Sequence, residues 1–412
     1  MLSTTQRNLA LFALALGGFA IGTTEFVSMG LLPQIGEKLI PAFQADPHAG
    51  IAHAGWLITA YALGVVVGAP TLAVLTARMS QRTLVLILLS ALMVGNLASG
   101  LMPTFDWTLG ARFLAGLPHG AYFGVASLLA GRLMGPNKQG AGVALALSGL
   151  TVANVIGVPL GTWFGQAAGW RWAYVAVAGI FAITLALAYR TLPQVAGNPE
   201  RNPMRELSAF GNPRLWLMLA VGAIGFGGFF AVYSYIAEAT TQAAGLSAAM
   251  VPWVLATLGI GMTIGNVIGG WASDRDLTRT LLIGFSGLVS VMGLYALLAD
   301  NPIRLFVFIF LIGATSSALI PTVQARIIKI AGKAELLGAA LNHASFNVGN
   351  SIGAALGGLV IASGFGYMAP GWVAVGLAST GCVLALISVR LDKVRPRVET
   401  VEQDAHIELT RT

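Results

Sequence analysis

Apolar runs of about 20 residues, separated by short polar or Pro/Gly-rich breaks, recur along the whole chain. A hydrocarbon layer of about 30 Å needs about 20 residues of helix to cross it. The pattern therefore restricts the chain to a bundle of membrane-spanning α-helices. Composition agrees: of 412 residues, 56% are hydrophobic and 9% charged, where soluble domains carry about 25% charged. An outer-membrane barrel would show short alternating segments, and the sequence has none. Breaking at the punctuation predicts twelve helices, at 8–32, 54–77, 83–102, 106–132, 139–165, 170–191, 213–239, 248–272, 279–298, 303–330, 335–364 and 369–391. The first run lacks a small-residue cleavage site and reads as a retained span.

The breaks carry the basic charge unevenly. Nineteen lysines and arginines fall on one side of the predicted layer, and only Lys38, Arg171 and Arg304 on the other. Such asymmetry marks the cytoplasmic face, so both termini are expected there. The formal charge of +7 is thus a topology signal, and no nucleic-acid partner is expected. The polar, proline-rich stretch 192–212 divides two six-helix halves, 1–191 and 213–391, and 392–412 reads as a disordered tail. Cys382 has no cysteine to pair with and reads as a small apolar side chain.

The halves repeat. Gly64-x3-Gly68-x9-Arg78-x3-Arg82 returns 197 residues later as Gly261-x3-Gly265-x9-Arg275-x3-Arg279, and Phe113-Leu-Ala-Gly116 as Phe310-Leu-Ile-Gly313. At an offset of 196, Asn154-x2-Gly157-x3-Gly161 maps onto Asn350-x2-Gly353-x3-Gly357. Six helices return the second copy to the same side, so the repeat is parallel. Repeats of this kind place a binding site at their interface near the bilayer midplane.

On these features the chain resembles the major facilitator superfamily along nearly its whole length. Gly270-Trp-Ala-Ser-Asp274-Arg275-Asp-Leu-Thr-Arg279 is similar to that family's loop motif G-x-x-x-D-R-x-G-R-R/K. The first-half copy ending in Arg78-Met-Ser-Gln-Arg82 keeps the basic residues but lacks the Gly and Asp. Arg112-Phe-Leu-Ala-Gly116 resembles the fourth-helix motif. Gly149 to Gly161, with Gly157-Val-Pro159, resembles the fifth-helix motif of drug/proton antiporters. Thr24-Glu-Phe26, Pro118-His-Gly-Ala121, Thr151-Val-Ala-Asn154 and Glu335-Leu-Leu-Gly-Ala339 are similar to the arabinose efflux permease group, to which chloramphenicol, sugar and nucleoside exporters are related. The resemblance implies two bundles about a pseudo-two-fold axis. It also implies conformational or gating roles for Arg78, Arg82, Asp274, Arg275 and Arg279, and for Asn154, Gly157, Pro159, Gly161 and Asn350.

One carboxylate lies where hydrocarbon should be. An ionisable group inside a span is rare and marks an ion or substrate path by default. Glu25 lies about seven residues, roughly 10 Å, inside the outer end of the first helix. Arg112 lies about six residues, roughly 9 Å, inside the outer end of the fourth. In the fold the chain resembles, both helices line the central cavity, so the two are expected to meet and jointly set the proton affinity of the carboxylate. His119, two turns beyond Arg112, is a candidate proton relay. Each has a structural alternative: a helix-packing hydrogen bond, or a staple to backbone carbonyls.

The same resemblance makes Thr23, Thr24, Tyr122, Phe229, Tyr233, Tyr235, Thr315 and Ser316 candidate cavity residues. Rings filling the bundle are the competing reading. Glu238, near an outer helix end, is expected to be wet. His48 and His53 read as solvated residues of an external loop without metal-ligand spacing. No phosphate loop occurs, so ATP drive within the chain is not expected. No cofactor or metal is expected either, and the proton gradient is the expected energy source. The expected protein is a monomeric, multi-pass exporter of the bacterial inner membrane, carrying a drug, sugar or nucleoside against protons. A uniporter or proton symporter is the nearest alternative, and a polytopic enzyme or receptor a distant one.

Overall fold

The computed structural model describes residues 3–76, 78–135, 138–194, 211–331 and 335–394. Residues 195–210 of the expected linker and 395–412 of the expected tail lie outside that set. Among the described residues, twelve helices are long and apolar enough to cross a membrane. They are Thr4–Gly30, Pro47–Leu72, Gln81–Leu101, Phe105–Met134, Ala141–Ala168 and Trp170–Thr191 in the first half. Pro213–Ser234, Ala248–Arg275, Leu277–Leu298, Pro302–Ala331, Leu341–Ala362 and Ala369–Asp392 form the second. They are called the first to twelfth spans below.

Helix ends follow local chemistry. Ser3 and Gln6 form a reciprocal capping box at the first helix, each backbone N–H bonding the other's side chain at 3.2 Å. Asn212 accepts from the Arg214 N–H at 3.0 Å, with Pro213 in the first turn of the seventh helix. Asp276 caps the ninth through Thr278 and Arg279. Eight of the nine tryptophans are exposed, and Trp56, Trp107, Trp253 and Trp372 stand near the starts of spans that begin on the face away from the basic loops. That is the aromatic belt of a membrane interface.

Three departures from continuous helix matter. The first helix ends at Gly30 and chain direction resets at Leu31, after which Leu32–Leu39 forms a separate short helix with Pro33 in its first turn. The seventh breaks at Tyr235 and continues as a short helix, Ile236–Glu238, and a π-helical turn, Ala239–Ala243. In the fifth, Ala153–Gly157 is π-helical and leads into Val158–Ala168, with Pro159 in the first turn. A proline lacks an N–H and crowds the carbonyl four residues back, and a widened turn absorbs both defects.

The repeat is visible in atomic detail. A side chain on Gly64 would strike the Phe113 carbonyl, and one on Gly261 the Phe310 carbonyl, its copy 197 residues on. Gly116 meets the Tyr61 carbonyl as Gly313 meets that of Leu258. Second and fourth spans thus pack backbone to backbone, and eighth and tenth repeat the contact. Small residues at such contacts are how membrane helices associate without a hydrophobic drive. Gly157 and Gly161 face the first helix at Thr23 and Val27, whereas Gly353 faces the seventh at Phe230 and Ala231. These glycine rows join helices inside each half. Between the halves, Gly259 of the eighth span sits on the Asn154 backbone of the fifth, one of several contacts across that interface.

Candidate functional site

Between the halves lies a cavity of about 200 Å³. Glu25 and Phe26 of the first helix stand at its end away from the basic loops, called the outer end below, with Phe226, Phe229 and Phe230 of the seventh beside them. Toward the basic-residue side the wall passes through Asn154, Thr151 and Leu147 of the fifth span and Met262 and Asn266 of the eighth. Ser316, Ser317 and Gln324 of the tenth and Asn342, His343, Phe346 and Asn347 of the eleventh complete it. Aromatic faces therefore alternate with amides and hydroxyls. Glu25 is the one carboxylate among the lining side chains, and the imidazoles of His119 and His343 are the other ionisable groups.

The outer end is shut. Phe26 stacks on Tyr233 at 5.1 Å and on Phe230 at 6.5 Å, joining first and seventh helices. Gln166 donates to the Ala248 carbonyl at 2.9 Å, and a side chain on Gly358 would meet Ala52. Nearer the basic side, Phe123 of the fourth span stacks flat on His343 of the eleventh, centroids 5.3 Å apart and planes within 8°.

Arg112 is fully buried and its charge acts on Glu25, but the direct contact is made elsewhere. It donates to the Thr24 hydroxyl at 3.1 Å and the Thr24 carbonyl at 3.2 Å, and no ion pair to Glu25 forms among the described residues. The Thr24 hydroxyl in turn donates a hydrogen bond to the Asn96 side-chain oxygen of the third span. Tyr61 and Tyr174 cover the guanidinium at 4.2 and 5.3 Å. A cation held by a carbonyl, a hydroxyl and two ring faces is satisfied without a carboxylate. Residues adjacent on a helix point about 100° apart, so the helix that offers Thr24 to Arg112 turns Glu25 into the cavity. The equal depths of Glu25 and Arg112 said nothing about direction.

Asn350 of the eleventh span lies within interaction range of the Glu25 carboxylate. Neither of its amide atoms closes a hydrogen bond among the described residues. Asn154, its copy in the repeat, donates to the Leu150 carbonyl at 3.0 Å and accepts from the Tyr233 hydroxyl at 3.5 Å. His119, the candidate relay, lines the cavity, and its Nδ1 shares a 3.1 Å hydrogen bond with the Tyr61 hydroxyl. Tyr61 thus touches Arg112 with its face and His119 with its edge.

Of the remaining cavity candidates, Phe229 and Ser316 line the space and the others do not. Thr23 returns its hydroxyl to the Phe19 carbonyl at 2.8 Å, and Thr315 to that of Leu311 at 2.7 Å. Both hydroxyls are spent on their own helices. Tyr122 donates to the Leu14 carbonyl at 2.8 Å, tying the fourth span to the first. Tyr235 donates to the Ala354 carbonyl at 2.6 Å, and Tyr233 belongs to the closed outer end. Glu238 is buried, not wet, with both carboxylate oxygens unpartnered among the described residues. His48 and His53 belong to the first turns of the second helix, against the rings of Tyr367 and Phe105, not to a loop.

The basic loop residues act within their halves. Arg82 donates to the Tyr189 carbonyl at 2.6 Å, Arg275 covers the Trp271 ring at 3.5 Å, and Arg279 pairs with Asp276 at 3.3 Å. Arg78 and Asp274 are exposed. The sequence reading missed His343, Asn342 and Asn347. The signal was present: Asn342-His343 is a polar pair inside an apolar span, and a histidine there marks function by default.

Paired six-helix halves around a polar, aromatic-lined cavity define a multi-pass membrane transporter rather than an enzyme. The chain belongs to the Major Facilitator Superfamily, whose profile matches residues 14–242 and 236–411. It is 34% identical to the inner membrane transport protein YdhP of Escherichia coli K12, over 93% of this chain and 96% of that one. It is 31% identical to the putative transporter AraJ of the same organism, over 87% and 89%. The chloramphenicol resistance protein of Streptomyces lividans is also 31% identical, over 92% and 95%. A bacterial homologue of the human lysosomal transporter Spinster, solved inward-facing and unoccupied, shares the fold with a TM-score of 0.73 at 14% identity, covering 94% of this chain and 98% of that one.

Proposed function

We propose that the protein is a proton-coupled exporter of a small, largely uncharged organic compound, working as a monomer in a bacterial inner membrane with the basic face in the cytoplasm. The observation that carries this reading is Glu25: one buried carboxylate at the outer end of a cavity shared by both halves, free of an ion pair with Arg112. An acid so placed binds a proton from one side and releases it to the other as access alternates. Arg112 serves the coupling from a distance, as a fixed cation beside the site. The lining of phenylalanines, amides and hydroxyls suits a ligand with an apolar face and several hydrogen-bonding groups. An amphenicol, a sugar or a nucleoside meets that description, and relatives named for transport and for chloramphenicol resistance support export. The proton gradient is the energy source, with no bound cofactor.

Proteoliposomes carrying an internal pH dye test it. Addition of substrate is expected to move protons with the wild type, and a Glu25→Gln protein is expected to transport without moving them, or not at all. Coupled proton flux surviving in Glu25→Gln overturns the reading. Import by uniport or symport is separated by cellular accumulation, which deletion of an exporter raises and deletion of an importer lowers.

A further inference from the structure

Glu238 has no part in the cavity, yet it is buried to 2% exposure in a seam between the halves. It ends the short helix Ile236–Glu238, which lies beyond the seventh span and packs against the first helix and the helix Leu32–Leu39 of the other half. Both carboxylate oxygens lack a hydrogen-bond partner among the described residues. A carboxylate cannot stay ionised in such a place without a cation, whereas a carboxylic acid can.

Among the described residues, the helices packed against Glu238 bring no lysine or arginine to it. Glu25 and Arg7 are the first helix's ionisable groups, with Arg7 at its far end, and Glu37 and Lys38 of Leu32–Leu39 are exposed. Asp274 and Arg275 lie at the opposite end of the eighth span. Around the seam stand Tyr235, Tyr367, Asp46 and His48, of which Tyr367 packs on the His48 ring. Tyr235 reaches across to Gly55 of the second helix, so the seam exists only while the outer end is closed.

We propose that Glu238 is a second proton-binding site, distinct from the cavity, whose protonation from the outer medium is required for the outer end to close. Opening the seam exposes the carboxyl to water, where it ionises at its ordinary pKa. Burial pushes the closed-state value up to about 8 from 4.5. The sign follows from linkage. Closure is fully supported below the open-state pKa and loses support as pH rises toward the closed-state value. Within that window the ratio of open to closed protein rises up to about tenfold per pH unit for one linked proton. An acidic outer medium therefore drives the exporter toward the state in which the basic face is accessible. This site stands whether or not Glu25 couples transport.

The experiment is a spin-label distance titration of the full chain in lipid nanodiscs, from about pH 5 to about pH 9, with labels on the exposed outer positions Gln44→Cys and Asn301→Cys in a Cys382→Ala background. In the wild type the outer distance is expected to lengthen as pH rises. In Glu238→Gln, which is neutral and of the same shape, the slope is expected to fall by one proton and the outer end to stay closed. In Glu25→Gln that proton's contribution is expected to remain. An unchanged slope in Glu238→Gln overturns the proposal and leaves the assignment of Glu25 untouched. Should Glu238→Gln not fold, infrared titration of Glu25→Gln decides. A protonated carboxyl band that persists to about pH 7 supports the site, and its absence overturns it.

Discussion

Arg112 grips Thr24 twice, by hydroxyl and by backbone carbonyl, while the adjoining Glu25 faces the cavity unpaired. The polar interior of the first half is thereby divided into a satisfied structural cluster and an available acid. Thr24→Val removes the hydroxyl that accepts from Arg112 and donates to Asn96. It is expected to destabilise the protein by about 1–3 kcal/mol, read as a lower midpoint in thermal unfolding in detergent, while Thr24→Ser stays near wild type. A Thr24→Val protein as stable as the wild type would sink the cluster assignment.

Tyr61 has two separable roles. Tyr61→Phe keeps the ring over Arg112 and loses only the bond to His119, so a loss of about 0.5–1.5 kcal/mol is expected. Tyr61→Ala removes both and leaves a cavity as well, and a loss of several kcal/mol is expected. Equal unfolding midpoints for the two variants would show that the ring face contributes nothing.

Glycines at two backbone contacts should answer differently to the same substitution. Gly149→Ala drives a methyl into the Ala15 carbonyl within one half and is expected to impair folding. Gly259→Ala acts between halves, against the Asn154 backbone, and is expected to favour outer opening in a folded protein. Gly124 has open space around it, so Gly124→Ala serves as the neutral control. Expression yield and the outer label distance separate the three.

The flat stack of Phe123 on His343 is an aromatic contact between halves on the cavity wall. Stacked pairs are worth about 0.5–1.5 kcal/mol, so Phe123→Leu is expected to shift the conformational balance by about 2- to 12-fold. The change is read as relative labelling of the two faces. Balance unaltered within twofold would remove the stack from the gate.

Hydropathy and punctuation placed the spans because helix length in a membrane is set by solvent thickness, and the described helices begin and end close to where the charged and Pro/Gly breaks fall. Azimuth was harder. A helix apolar on every side gives no face to read, so Thr23 and Thr315 were expected in the cavity although their hydroxyls return to their own backbones. Glu25 and Arg112 matched in depth and differed in direction. A place near an outer helix end predicts a wet Glu238, whereas past the break at Tyr235 the short helix Ile236–Glu238 packs against the first helix and Leu32–Leu39 and buries it. The repeated glycines behind the two Gly-to-carbonyl correspondences between halves are legible in the sequence, since contact chemistry there needs only the absence of a side chain.

The surroundings of Arg112 also order the chain's biogenesis. An arginine costs about 2.5–3.5 kcal/mol to insert at the centre of a span and less toward its end, where Arg112 lies. Its stabilising groups come from spans on both sides of it in sequence: Thr24 and Tyr61 precede the fourth helix, and Tyr174 follows in the sixth. During synthesis the fourth helix enters a bilayer where a carbonyl, a hydroxyl and one ring already wait. The second ring arrives only when the sixth helix does, so the first half is locked by the last helix made in it.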